Sequence, residues 1–296
     1  MLVLSRVTLG ADIAVTSVLM SAARRRFPDA EILFAGPLKN YELFAGDTRI
    51  RHARVEYRRG SLSDRLAVVN ELRELAAPPD TLVLDPDSRL TQLGLLAVCA
   101  EERYRFFESR AYRADTVSAL PELAAQWCEE TMGVTGAKPF VALSETPLPG
   151  PYIAISLGVG GNPAKRIADP FEDQLLRKLS QTGLELYIDR GAGGEEAERV
   201  TRAVERSGAG AKFWEGSFAG FARIIAGARL YVGYDSAGQH VAAASGIPLI
   251  CIFTGFPVPR MFDRWRPVDK HATVLRVDHV DPQQVLAQVD AALPLH

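Results

Sequence analysis

Residues 230–255 read LYVGYDSAGQHVAAASGIPLICIFTG. The run LYVGYD is apolar and predicts a buried strand ending at Asp235. Small residues follow, then a helical segment opening at Gln239 and His240, and the turn Gly246-Ile247-Pro248 leads into the second apolar run PLICIF. Strand, helix and strand in this order predict a parallel pair joined by a crossover helix. The stretch therefore indicates an α/β fold.

The same alternation runs along the whole chain. Strand-like runs at 2–7, 31–36 and 81–85 alternate with helical spacing at 13–26, 65–75 and 89–99, and a further helix is predicted at 120–132. A second series begins at 152–158. Between the two series, the segment ALSETPLPGP at 142–151 contains three prolines and a glycine, which interrupt regular structure. We predict two doubly wound α/β domains, residues 1–145 and 146–296.

The composition excludes several classes of protein. The chain has 296 residues, is 47% hydrophobic and carries a net charge of -2, so it is too apolar to be disordered and lacks the basic excess of a nucleic-acid-binding protein. Cys99, Cys128 and Cys251 are far apart, which argues against a disulfide framework and against a local metal knuckle. We expect a cytoplasmic protein that does not bind nucleic acid.

Ligands of such sheets bind beyond the carboxyl ends of the strands. After Asp235, the small residues Ser236, Ala237 and Gly238 precede a helix, where backbone N–H groups and the helix dipole favour an anion such as a diphosphate. An ordinary turn capped by Asp235 or Ser236 explains the same pattern. His240, taken alone, fits a structural histidine as well as a functional one.

Two loops of the second half carry further charged candidates. SLGVGGNPAKR, residues 156–166, ends in Lys165 and Arg166, which could stabilise a leaving diphosphate or form a solvated pair. YIDRGAGGEEAERV, residues 187–200, places Glu195 and Glu196 in the first turn of a helix, where acids commonly complement the dipole.

The first half offers carboxylates after two predicted strands. In RVTLGADIAVTSVL, residues 6–19, Asp12 is either an N-terminal cap or a general base that projects into a cleft. As a cap, it should tolerate replacement by Asn with little change in stability. Asp85-Pro86-Asp87 has the Asp-x-Asp spacing that can hold a divalent ion, although a motif of three residues is weak evidence.

In their order along the chain, these motifs resemble the ADP-heptose:lipopolysaccharide heptosyltransferase family, glycosyltransferase family 9. In that family, a strand ends in Asp-Thr-Gly and a histidine follows two residues later, and Asp235, Ser236, Ala237 and His240 occupy those places here. Gly238 follows the position where Ala237 replaces the family glycine. The resemblance implies the glycosyltransferase B fold, in which two Rossmann-like domains face each other.

The resemblance also implies a role for each candidate residue. It makes Asp12 the catalytic base and Lys165 the ligand of the leaving diphosphate, with Arg166 beside it. It assigns Glu195, with Glu196 as the alternative, to the ribose hydroxyls. It places acceptor contacts on Asp87 and Arg89, and donor contacts on Asp235, Ser236, Ala237, Gly238 and His240.

The implied function is inverting, metal-independent transfer of a sugar from a nucleotide donor. The donor expected from the resemblance is ADP-heptose, bound by the C-terminal domain. The expected acceptor is a glycolipid of the lipopolysaccharide core, bound by the N-terminal domain. Peripheral contact with the inner face of the cell membrane is an open possibility. No cofactor is expected beyond the donor. A nucleotide-sugar 2-epimerase is an alternative, but five histidines are few for it. A catalytically silent binding protein is another, because Ala11, Ile167 and Ala237 depart from the family pattern.

Overall fold

The computed structural model describes residues 1–58, 60–191, 193–279 and 281–293. The chain divides into two compact units, Met1–Glu145 and Thr146–His296. The division falls within the proline-containing segment 142–151. Each unit contains one parallel sheet with helices between its strands, which confirms the predicted α/β class.

The first unit contains β1 (Leu2–Leu4), β2 (Ile32–Gly36), β3 (Ile50–Arg54), β4 (Val83–Asp85) and β5 (Tyr104–Phe106). They form one parallel sheet of order β3-β2-β1-β4-β5. Its helices are α1 (Leu9–Ala11), α2 (Ser17–Arg26), α3 (Leu38–Tyr41), α4 (Leu62–Leu75) and α5 (Leu120–Met132), with a π-helical turn at Asp12–Thr16 between α1 and α2. Strand order reverses between β1 and β4, the kind of switch point at which open α/β sheets bind ligands.

The second unit repeats this plan. Its strands are β6 (Tyr152–Ser156), β7 (Glu185–Asp189), β8 (Lys212–Trp214), β9 (Leu230–Tyr234), β10 (Leu249–Thr254) and β11 (Ala272–Val277). All are parallel, in the order β11-β10-β9-β6-β7-β8, with the switch point between β6 and β9. The helices are α6 (Phe171–Ser180), α7 (Gly194–Ser207), α8 (Phe218–Gly227), α9 (Ala237–Ala244), α10 (Pro259–Trp265) and α11 (Pro282–Ala292).

The helix boundaries follow from local chemistry. α4 begins at Leu62 because Ser61 accepts the Asp64 N–H and the Asp64 side chain accepts the Ser61 N–H, a capping box. α5 ends at Met132 because Gly133 takes the left-handed conformation, with φ of 67°. In the described part of the chain, no helix combines the length and apolarity needed to cross a membrane.

The predicted helix at 89–99 is wrong. Only the 3-10 turn Arg89–Thr91 forms there, because Gln92, Leu93 and Gly94 all have positive φ values of 51°, 65° and 82°. A methyl group at Gly94 would lie 2.5 Å from the Phe106 ring, so tertiary packing also requires glycine at this position. The helical spacing of the sequence is overridden by this close approach to β5.

Both units bury their central strands on two faces. In β6 and β9, every residue is buried, and the surrounding core consists of aliphatic and aromatic side chains from strands and helices alike. Burial on both faces is the reason that these strands read as continuous apolar runs. Polar side chains are therefore concentrated beyond the strand ends, at the two switch points.

Candidate active site

The switch point of the second unit brings together two of the predicted residues. Ser156 pairs with Gly233 in the sheet, so the loops after β6 and β9 leave the sheet side by side. Lys165 lies in a 3-10 turn of the first loop, and Asp235 directly follows β9. The Lys165 ammonium forms an ion pair with Asp235 Oδ2, and the two side chains are only 19% and 8% exposed. A cation is thus fixed where this fold binds ligands.

The other oxygen of Asp235 is held by a residue that the sequence did not single out. Asp235 Oδ1 accepts a hydrogen bond of 2.6 Å from Gln239 Nε2, and Gln239 is fully buried. Asp235 and Gln239 are four residues apart across the start of α9. That spacing was the available signal, because side chains four residues apart meet on one face of a helix.

The turn into α9 is shaped by Tyr231, which is fully buried beneath it. A methyl group on Gly238 would lie 2.7 Å from Cζ of the Tyr231 ring, and one on Gly233 would lie 2.6 Å from the Ser156 carbonyl oxygen. The Tyr231 hydroxyl lies 3.3 Å from Ser236 Oγ. Glycine is therefore needed at 238, whereas Ala237 is accommodated as the first residue of α9.

The start of α9 places backbone N–H groups near the ion pair. Ser236 is the N-cap residue in extended conformation, and the helix runs from Ala237 for two turns. The N-terminus of a helix carries a partial positive charge and donors suited to an anion. His240 adds no charge, because burial lowers its pKa to about 4 and keeps the ring neutral. Its ring packs edge-on against Trp265, with centroids 6.4 Å apart.

Arg166, which was predicted as a donor ligand, forms ion pairs with acids of its own unit. Its guanidinium donates to Glu172 at 2.9 Å and also pairs with Asp169. Glu172 is buried and also accepts from Arg199 at 2.5 Å. Arg166 thus belongs to a network that ties the Lys165 loop to α6 and α7, and its contact with the donor stays a prediction.

Of the two acids at the start of α7, Glu196 is the one that reaches the strand ends. Its Oε2 accepts the Val159 N–H at 3.0 Å, and the carboxylate lies against Gly158 and Gly191 in the loops after β6 and β7. Glu195 is exposed on the helix surface. Glu196 is thus the acid nearer the strand ends, and which of the two acids binds the ribose hydroxyls stays a prediction.

In the first unit, Asp12 is fully buried, and its role as the catalytic base stays a prediction. Its Oδ1 accepts from the Arg6 N–H at 2.7 Å and from Thr16 Oγ1 at 2.6 Å. Its Oδ2 accepts from Ser5 Oγ and Asn40 Nδ2, both at 2.6 Å. Desolvation raises the pKa of Asp12 despite these four donors.

Asp12 is not an N-terminal helix cap. The N-cap residue of α1 is Thr8, and Asp12 starts the π-helical turn that follows. Turns of this type frequently occur at functional sites. Val7, in the loop just after β1, has φ of 69°, a strained value for a β-branched residue. The segment from β1 to Asp12 therefore has two unusual features, the positive φ of Val7 and the π-helical turn that Asp12 begins.

The two carboxylates of the Asp85-Pro86-Asp87 loop accept hydrogen bonds from other side chains of the protein. Asp85 is buried and accepts from Thr91 and Tyr104 hydroxyls, both at 2.5 Å. Asp87 is also buried, and both its oxygens accept from the Arg110 guanidinium at 3.0 Å. The role of Asp87 as an acceptor contact stays a prediction.

Arg89 and Arg110 are exposed cations in the loops after β4 and β5. Arg110 was not identified from the sequence, because its partner Asp87 lies in a different loop. Within the described ranges of the chain, no group of three His, Cys, Asp or Glu side chains is arranged to hold a metal ion.

Comparison with solved structures shows the same fold in heptosyltransferases. The E. coli heptosyltransferase WaaC with ADP aligns with a TM-score of 0.72 at 16% identity, covering 98% of this chain and 99% of that one. E. coli ADP-heptose lps heptosyltransferase II aligns with a TM-score of 0.69 at 19% identity, covering 99% and 98%. A glycosyl transferase family 9 protein from Veillonella parvula DSM 2008 gives 0.73 at 16% identity, covering 99% and 96%. The predicted glycosyltransferase B fold is confirmed.

Comparison with curated proteins gives no match. The family model for glycosyltransferase family 9 (heptosyltransferase), in contrast, matches residues 102–296, which include the whole second unit and its Lys165–Asp235 pair. The match extends over more than half of the chain. This protein is therefore a glycosyltransferase that belongs to family 9, the heptosyltransferases.

Proposed function

We propose that this glycosyltransferase moves heptose from ADP-heptose to an acceptor of the lipopolysaccharide core, with inversion at the anomeric carbon. The observation that carries the proposal is the Lys165 ammonium fixed at the second switch point, next to the start of α9. A departing nucleoside diphosphate gains negative charge, which a fixed cation and backbone N–H groups stabilise. WaaC, with the same fold, has been solved with ADP.

In this reaction, an acceptor hydroxyl attacks the anomeric carbon on the face opposite the diphosphate. The bond from that carbon to the diphosphate oxygen breaks, and the hydroxyl proton passes to a base. We assign the base to Asp12, whose pKa is raised by burial and thus shifted toward the range useful for proton transfer. Because its carboxylate already accepts four hydrogen bonds, the acceptor hydroxyl would have to replace one of these donors.

The donor contacts that we propose lie in the second unit. Lys165 and the first N–H groups of α9, from Ser236 to Gly238, face the diphosphate, and Glu196 accepts from the ribose hydroxyls of the nucleotide. Asp235 acts by holding Lys165. We propose no metal or other cofactor, because Lys165 supplies the charge and the carboxylates of Asp85 and Asp87 are already engaged by protein donors.

The acceptor side is assigned to the first unit. A core glycolipid carries acidic groups, and the exposed guanidinium groups of Arg89 and Arg110 suit them. Asp87 would orient Arg110 rather than touch the acceptor. By the resemblance to the family, the protein would work in the cytoplasm at the inner face of the membrane that contains the glycolipid.

The test compares Lys165→Met with Lys178→Met, a charge removal on α6 of the same unit, where Lys178 pairs with Asp290. Transfer is measured with ADP-heptose, with a UDP-sugar and a GDP-sugar as competing donors. Loss of a preorganised charge donor costs about 10²–10³-fold in turnover. We expect this loss for Lys165→Met and not for Lys178→Met. We also expect that only ADP-heptose, and neither the UDP-sugar nor the GDP-sugar, serves as an effective donor. Equal turnover in the two variants would refute the assignment of Lys165.

A further inference from the structure

We infer that Gln239 is a positioning residue for Lys165, acting through Asp235. This inference rests on the proposed role of Lys165 toward the diphosphate. Gln239 does not need to touch the donor for this role, because it contacts the carboxylate that fixes the Lys165 ammonium. The three residues form a chain of contacts from α9 to the loop after β6.

The orientation of the Gln239 carboxamide is determined by its neighbours. Its Oε1 accepts from the Cys251 thiol at 2.6 Å, so this side must be the oxygen. Its Nε2 lies 2.6 Å from Asp235 Oδ1 and 3.4 Å from the Trp265 carbonyl oxygen, and both of these are acceptors. Rotating the amide by half a turn would place its oxygen against a carboxylate and a carbonyl. Only one orientation is therefore compatible with this site.

This fixed amide determines where Asp235 points. One carboxylate oxygen faces Lys165 and the other faces Gln239, so the plane of the carboxylate is defined at both ends. Asp235 is 7% exposed, and water is therefore a poor replacement for a lost donor. Without Gln239, the buried Oδ1 would lack this hydrogen bond, and the carboxylate would turn to recover one. Lys165 has a long flexible side chain and would lose its fixed position.

Two side chains next to the Gln239 amide are neutral. His240 Nε2 lies 3.4 Å from Gln239 Nε2, and its ring is neutral. Burial raises the pKa of the Cys251 thiol well above its usual value, so this group is a neutral donor to Gln239. Gln239 is thus a neutral side chain of α9 that donates a hydrogen bond to the carboxylate of the Lys165–Asp235 pair.

A double-mutant cycle on the full chain tests this role. Gln239→Met keeps the length of the side chain and removes the amide, Lys165→Met removes the ammonium, and the third variant combines both changes. The dissociation constants of ADP, UDP and GDP are measured by calorimetry, alongside thermal unfolding. Gln174→Met, on α6, is the matched control for the change from amide to thioether.

We expect Gln239→Met to weaken binding of the preferred nucleotide about fivefold, the effect of one hydrogen bond. In the Lys165→Met background the same substitution should change binding by less than about twofold, because its effect passes through Lys165. A role confined to folding would lower thermal stability and weaken binding by the same factor in both backgrounds, which would overturn the inference. If Gln239→Met does not fold, Gln239→Asn, which keeps an amide but withdraws it from Asp235, enters the same cycle.

The cycle also separates this inference from the proposed function. If the wild-type protein binds none of the three nucleotides, or if Lys165→Met binds as tightly as wild type, the proposed donor site is wrong and the inference falls with it. If Lys165→Met weakens binding while Gln239→Met and Gln239→Asn match the Gln174→Met control, only the role of Gln239 is refuted.

Discussion

Gly255 should control the position of Lys165, although it contributes no side chain. It follows β10 with φ of 68°, and a methyl group there would lie 2.6 Å from the Lys165 backbone nitrogen and closer still to the Ala164 carbonyl group. Ordinary contacts of this kind are 3.4–4 Å long. In Gly255→Ala, the turn that carries Lys165 must therefore move by about 1 Å or more, since a packed interior offers no spare space.

Two costs follow from this substitution. The left-handed conformation costs a residue with a Cβ atom about 1–2 kcal/mol in stability. A displacement of about 1 Å at a group that aligns a reacting centre can cost about 10²-fold in rate. Gly246→Ala separates the two costs, because Gly246 has the same φ of 68° and a methyl group there would meet no other described atom within 4 Å.

The assay measures turnover of ADP-heptose at saturating acceptor, the dissociation constant of ADP, and the free energy of unfolding for both variants. We expect similar losses of stability from the shared backbone cost, with a further loss from the clash in Gly255→Ala. Only Gly255→Ala should lose about 10²-fold in turnover. If the folded Gly255→Ala protein turns over as fast as Gly246→Ala, the contact with the Lys165 turn does not position the lysine.

Three further predictions concern the two switch points. Asp12→Asn should lower the free energy of unfolding by about 1–3 kcal/mol, contrary to the sequence expectation, because an amide cannot accept all four hydrogen bonds. Turnover per folded molecule should fall about 10²–10⁴-fold, and retained turnover would exclude Asp12 as the base. His240 should make the second unit acid-sensitive: its pKa is about 4 when folded and 6.5 when unfolded, so protons bind the unfolded chain first and stability falls as pH decreases through this window. Between pH 7 and pH 5, the loss in wild type should exceed that in His240→Asn by about 2 kcal/mol in urea unfolding, and parallel curves would contradict the shift. EDTA should leave turnover unchanged. If EDTA abolishes turnover and Mn²⁺ or Mg²⁺ restores it, Asp85 and Asp87 are metal ligands.

The sequence by itself determined the fold class and most of the long elements. Strands buried on both faces must be apolar throughout, so β6, β9 and β10 were readable as local runs. α5 was predicted at its observed bounds, because Gly133 ends a continuous helical pattern. The short charged strands β3 and β8, IRHAR and KFW, escaped prediction, since they depend on pairing with β2 and β7 rather than on local hydrophobicity.

The sequence also marked the loops of the candidate site, but not the geometry within them. Lys165 and Asp235 were each identifiable from a motif, yet their ion pair joins residues 70 positions apart. Local spacing could not separate Glu196 from Glu195, because the two are adjacent in the first turn of α7. Which carboxylate reaches the Val159 N–H depends on how the helix packs against the loops that contain Gly158 and Gly191.

Tertiary structure alone decided the state of the remaining site residues. Asp12 is buried because donors from Ser5, Arg6, Thr16 and Asn40 surround it, and the Asn40 amide comes from α3, 28 residues away. Arg166 pairs with the buried Glu172 of α6, a partner that its own motif does not reveal. A motif specifies the type of side chain and its loop. Whether that side chain is exposed, paired or buried depends on residues distant in the sequence that folding brings beside it.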